Sequence, residues 1–141
     1  SYGIGSTFAK IGKDRIDPQW DGDEILSSQY TTSVLLDGWL YGIDGRQDAG
    51  AASLRCFDPV TKKVAWTEEN FGMATLILAD NKLVCMKTDG TLTLVAASPK
   101  AYEELATAKL FNSTCRGLPA LSNGLLYVRD TQTLKCFDLR P

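Results

Sequence analysis

Two sets of residues, mostly polar, recur at a fixed step in this chain of 141 residues. Tyr30, Met73 and Arg116 lie 43 residues apart, as do Asp44, Lys87 and Asp130, with Arg129 just before the last. The first interval also holds a glycine-bounded segment, Asp44-Gly45-Arg46-Gln47-Asp48-Ala49-Gly50, which adds Arg46 and Asp48. A phenol, several cations and several carboxylates on one surface have the chemistry of capture. They can hold a small polar ligand or a loop of a protein partner through charge-assisted hydrogen bonds. The candidate set is therefore Tyr30, Asp44, Arg46, Asp48, Lys87, Arg116, Arg129 and Asp130. The competing reading is plainer: loop tips are polar because water solvates them, and Gly–Asp pairs are turn formers.

Catalysis is narrowed by subtraction. The chain has no histidine, which removes Ser-His-Asp and Cys-His catalysis, imidazole bases and every histidine-containing metal site. Glu68-Glu69 and Glu103-Glu104 are adjacent in sequence and so diverge in space, which rules out an acid/base dyad. Cys56, Cys85, Cys115 and Cys136 form no CxxC pair, so a zinc site is not indicated. Four cysteines would permit two disulfides, and spacing does not choose among the three connectivities. In Leu54-Arg55-Cys56-Phe57-Asp58 and Leu134-Lys135-Cys136-Phe137-Asp138 each cysteine shares a strand face with a leucine. The simpler expectation is four buried small hydrophobes or unreactive thiols.

The composition, 44% hydrophobic and 23% charged, is that of a globular domain. The net charge of −2 argues against nucleic acid or an anionic membrane surface as the main partner. No apolar run approaches the roughly 20 residues of a membrane span. The start, Ser1-Tyr2-Gly3-Ile4-Gly5, has neither the basic opening nor the apolar core of a signal peptide.

The elements that position the candidates follow from the same 43-residue step. Leu36-Asp37-Gly38-Trp39-Leu40-Tyr41, Ala79-Asp80-Asn81-Lys82-Leu83-Val84 and Ser122-Asn123-Gly124-Leu125-Leu126-Tyr127 superimpose at that interval. Their centres, Asp-Gly, Asp-Asn and Asn-Gly, accept positive φ at both turn positions, as a two-residue hairpin demands. Apolar strands flank each tip: residues 32–36 and 39–43, 75–79 and 82–86, 118–122 and 125–129. Third strands follow at 53–57, 91–95 and 133–137. Val64-Ala65-Trp66 returns from the Asp58-Pro59 turn as a fourth. In the second unit, Ser98-Pro99 before Lys100 to Leu105 predicts a short helix in place of the third turn, with the outer strand at 108–112. Residues 7–11 and 16–20 read as the third and fourth strands of a half blade, which puts Trp20 and Trp66 at matching positions. Both are expected between blades, while Trp39, next to a turn, would suit a partner contact if exposed. Four antiparallel strands every 40–50 residues or so is the arithmetic of a β-propeller. The expected division is a half blade over 1–26, blades over 27–70 and 71–113, and an incomplete blade over 114–141. These 13 strands do not close a ring, since a closed propeller needs at least about four blades.

The segment Leu54-Arg55-Cys56-Phe57-Asp58-Pro59-Val60-Thr61-Lys62-Lys63-Val64-Ala65-Trp66 resembles the pyrroloquinoline-quinone (PQQ)-like propeller repeat: an apolar residue, an Asp, a Thr-Gly-Lys-like turn and a Trp. Lys62 stands where that pattern has glycine. Asp37 to Tyr41 and Asn123 to Tyr127 look like the second strand of the same repeats. The resemblance implies an all-β fold of four-stranded blades and a bacterial envelope or secreted setting. Some members of that family are quinoprotein dehydrogenases holding PQQ and Ca²⁺ over the central axis; others are non-enzymatic. The enzymes carry an adjacent Cys-Cys pair, absent here. The expected function is a non-catalytic propeller segment acting as a protein-interaction or ligand-binding scaffold with no evident cofactor. The alternative is part of a PQQ- and calcium-dependent oxidoreductase. Open blade faces at both ends imply a homodimer or further blades.

Overall fold

The computed structural model describes residues 4–140; Ser1 to Gly3, within the opening read above for signal character, and Pro141 lie outside them. It holds 13 strands and no helix among the described residues. They are β1 (Ser6–Ile11), β2 (Ile16–Gly22), β3 (Val34–Leu36), β4 (Trp39–Arg46), β5 (Ala51–Phe57), β6 (Val64–Glu68), β7 (Ala74–Ala79), β8 (Lys82–Lys87), β9 (Thr91–Ala96), β10 (Glu104–Lys109), β11 (Ala120–Ser122), β12 (Leu125–Arg129) and β13 (Leu134–Asp138). Four antiparallel sheets result, each ordered as the chain runs: β1-β2, β3-β4-β5-β6, β7-β8-β9-β10 and β11-β12-β13. The short connections dictate this meander, since a two-residue turn can join only adjacent antiparallel strands. Asp37-Gly38 (φ 48° and 83°), Asp80-Asn81 (48° and 55°) and Asn123-Gly124 (50° and 76°) turn left-handed at both central positions. That twist matches the twist of the strands they join.

Consecutive sheets stack face to face as propeller blades, with the inner strand β7 against β3 and β4. The alternation of each strand sends one set of side chains to each neighbour. Tyr41, Ile43, Leu54 and Cys56 of the first four-stranded blade meet Leu76, Leu83, Cys85 and Val95 of the second. The other face of the second blade, Val84, Met86, Leu92 and Leu94, meets Phe111, Leu126 and Val128. The second blade is thus apolar on both faces, which explains the unbroken run Leu83-Val84-Cys85-Met86 in β8, buried throughout. Each such buried side chain contributes about 1.5–3 kcal/mol.

The short helix expected near Pro99 to Leu105 does not form. Residues 98–103 are a bent, non-helical connection in which the Lys100 amide donates to Ser98 Oγ at 3.3 Å and the Ala96 amide to the Glu103 carbonyl at 3.0 Å. The reason is tertiary. Tyr102 is drawn inward edge-on to Trp66 and Phe71, with ring centres 5.8 and 6.3 Å away, and Ser98 gives its carbonyl to the Trp66 indole. Packing overrides local helix preference. The outer strand accordingly starts at Glu104 rather than Ala108.

The predicted inter-blade tryptophans form a repeated latch. Trp20 Nε1 donates to the Pro59 carbonyl at 2.7 Å, and Trp66 Nε1 to the Ser98 carbonyl at 2.8 Å. In each case an indole on the outer strand of one blade binds the third turn of the next. Trp39 is half-buried against the core rather than free for a partner.

Candidate functional site

The loops between β4 and β5, β8 and β9, and β12 and β13, together with the ends of β4, β8 and β12 that lead into them, carry most of the predicted polar residues, and backbone hydrogen bonds stitch this end of the blades together. The Gly72 amide donates to Ala52 O, Thr88 to Met73 O and Cys115 to Thr88 O, at 2.9, 2.9 and 3.0 Å. Met73, one of the recurring set, is buried in this seam.

Tyr30 and Arg116 do come together. The Tyr30 hydroxyl donates to Gln47 Oε1 at 2.9 Å, and the Gln47 amide donates to Gln29 Oε1 at 2.9 Å. Burial pushes the Tyr30 hydroxyl pKa up, and the facing Arg116 guanidinium opposes that rise. Arg116 also lines an open depression of about 270 Å³ with Thr114, Asp130 and Thr131. A second, of about 280 Å³, runs along residues 129–134. Arg46, Gln47 and Gly50 edge a third, of about 170 Å³, whose far wall is Gly72, Met73 and Thr88.

Several candidates are engaged in holding the fold. Asp44 forms a half-buried ion pair with Arg55 at 2.9 Å and accepts the Ser27 amide at 2.7 Å. Arg55 reaches onward to the Glu24 and Ile25 carbonyls and to Thr67. This network fastens the segment entering the first blade onto its strands. Sequence reading missed Arg55, because a lone charge in an alternating strand looks solvent-facing. Asp130 caps its own turn, accepting the Gln132 and Thr133 amides at 2.8 and 2.6 Å and the Ser113 hydroxyl. These donors, Ser113 first, hold its carboxyl below the usual range. Arg46 chelates Asp48, with Nε to Oδ1 at 3.0 Å, and lowers the Asp48 pKa. Lys87 sits over the Phe71 ring at 3.9 Å from its centre. Arg129 Nε donates to the Asp130 carbonyl at 3.2 Å, and its side chain is exposed.

Among the described residues no three Asp, Glu or Cys side chains gather closely enough to hold a metal ion. Of the cysteines, Cys56, Cys85 and Cys115 are buried as expected; Cys136 is exposed, and all four are free thiols. Burial pushes the thiols of Cys56 and Cys85 up to about 11 and about 12. No helix is long and apolar enough to cross a membrane among the described residues.

No family model matches the chain, and no curated protein matches it. Among solved structures it is similar to the computationally designed protein Ika8, with a TM-score of 0.59 and 18% identity over 76% of this chain. It is also similar to BamB from Moraxella catarrhalis, with a TM-score of 0.49 and 11% identity over 85% of this chain. The chain spans 32% of the first of those proteins and 49% of the second. At such identities the likeness to Ika8 concerns the fold alone.

Proposed function

We propose that the chain is a non-catalytic β-propeller segment whose task is interaction: a scaffold that presents polar loops at one end and docks another blade on its open face. One observation carries this reading. In the first four-stranded blade Tyr41, Leu54 and Cys56 are buried under the second blade. Their register mates in the third blade are Tyr127, Leu134 and Cys136. Tyr127 and Leu134 are 36% and 67% exposed where Tyr41 and Leu54 are 1% and 0%. The same face that elsewhere receives a blade is here uncovered. Ile11 and Ile16 stand exposed on the half blade. Uncovered apolar faces and unpaired strand edges mark surfaces that associate.

The partner is another blade surface, from a second copy or from further blades of a larger ring. The Tyr30–Gln47 and Arg116 cluster supports a polar ligand or partner loop at the other site. The resemblance to PQQ-like repeats supports a bacterial envelope or secreted setting.

Sedimentation velocity at micromolar concentration tests the docking face. Self-association is expected, and Tyr127→Glu should weaken it by placing a charge on that face. A closed dimer points to a second copy; open-ended growth points to faces made for further blades. A monodisperse monomer would overturn the reading.

A further inference from the structure

The tryptophan latch occurs twice, and the third place where it belongs lacks it. Cross-strand register identifies that place. Tyr41 pairs with Cys56, which pairs with Trp66; in the next blade Val84 pairs with Leu94, which pairs with Ala106. Phe8 pairs with Trp20 in the half blade. Ala106 thus stands where the two indoles stand, on the face turned toward the third blade. Beside it opens an apolar groove of about 190 Å³, walled by Val84, Leu92, Leu94, Ala106, Leu126 and Leu139. Val84 and Leu126 belong to the core between the second and third blades, so the groove continues an interface that already exists. Leu139 follows Phe137-Asp138 as Pro59 follows Phe57-Asp58, and Pro59 supplies the carbonyl that receives the Trp20 indole.

We infer that this groove is an empty indole slot and that it binds a free planar aromatic molecule of the indole class. The chemistry of the occupant follows from the two filled slots, each holding an indole whose N–H binds a backbone carbonyl of the next blade. Size agrees: an apolar cavity of about 150 Å³ takes benzene, so a slot slightly larger suits one bicyclic ring. Aliphatic walls offer dispersion contacts to both ring faces, and truncation to Ala106 removes the side chain that would otherwise fill the space.

Indole itself is the probe, titrated into the isotope-labelled chain with methyl signals followed by NMR. Saturable shifts at Val84, Leu92, Leu94, Ala106 and Leu126 are expected, at or below about 1 mM as befits so small a ligand. Ala106→Trp fills the slot and should weaken indole binding at least about tenfold. Ala106→Met fills it with a flexible chain and serves the same purpose if the tryptophan variant does not fold. Shifts that fail to saturate, that map elsewhere or that persist in the filled variant would overturn the assignment. So would cyclohexanol binding as tightly as indole, because that would make the groove merely apolar.

Discussion

Trp66 joins three functions in one side chain: it fills the seam between two blades, packs its ring against Tyr41 and Tyr102, and donates to Ser98. Trp66→Ala is expected to destabilise the fold by roughly 3–5 kcal/mol, as large-to-small aromatic changes in cores do. Trp66→Phe keeps most of the ring and should cost less, mainly the hydrogen bond at about 1 kcal/mol plus the lost ring volume. Urea unfolding checks both; a loss below about 1 kcal/mol for the alanine variant would mean that the latch is ornamental. The cysteines make a second test. Cys56 and Cys85 are buried, with pKa values pushed up to about 11 and about 12, and so carry almost no thiolate at neutral pH. Cys136 is exposed. A thiol reagent at pH 8 should modify Cys136 in the native protein and all four cysteines in urea. Rapid native modification of Cys85 would contradict the packing between the first two blades.

Turns and caps set the register of the blades. Gly90 turns with φ of 94° between β8 and β9, and a Cβ there would lie 2.1 Å from the Phe111 carbonyl oxygen. Backbone cannot step aside as a flexible side chain can. Gly90→Ala should therefore cost at least about 2 kcal/mol, whereas Gly72→Ala, with open space around it, should cost only its backbone strain. Asp58 and Asp130 cap the turns after β5 and β12. Asp58 accepts the Thr61 hydroxyl and the Val60 amide, and Asp130 accepts Ser113 and two amides. Both carboxyls titrate below their ordinary value. A folded pKa below the unfolded one gives a contribution that is complete above the unfolded value, about 4, and lost as pH falls through the folded value. Stability should hold level from pH 7 to about 5 and decline below about 4. Asp130→Asn should shrink that decline, because the group that titrates is gone; an unchanged acid slope would place the titration elsewhere.

At the scale of the molecule, Tyr127 and Leu134 on the three-stranded blade and Ile11 and Ile16 on the half blade are exposed, and the proposed docking makes a prediction about behaviour in solution. Concentration-dependent thermal unfolding is the expected signature, since association that buries those faces stabilises the folded chain by mass action. If the proposed docking occurs, labelling of Cys136 should slow as protein concentration rises, because the thiol shares the uncovered face with Tyr127. A melting temperature and a labelling rate both independent of concentration from about 1 to 100 µM would show that those faces stay bare.

The sequence by itself determined the hairpin tips, the all-β class and the latching tryptophans. The tips depend on residues near in the chain, since Asp-Gly and Asn-Gly pairs favour positive φ; the tryptophan positions follow from the repeat, while the carbonyls they bind, 39 and 32 positions further on, were set by tertiary packing. The fate of residues 98–105 was not legible, because Ser98-Pro99 is a sound helix start until Tyr102 is claimed by Trp66, 36 positions earlier. That misplaced outer strand also hid Ala106 as the missing third indole, a fact visible only once Leu94 is seen across from it. Among the candidate polar residues, Tyr30 and Arg116 face one another, since both stand just ahead of inner strands. What spacing could not say is that Asp44 spends its charge on Arg55 and Asp130 on its own turn. Such pairings depend on side-chain reach across strands, and tertiary structure alone decides which polar groups are left to meet a partner.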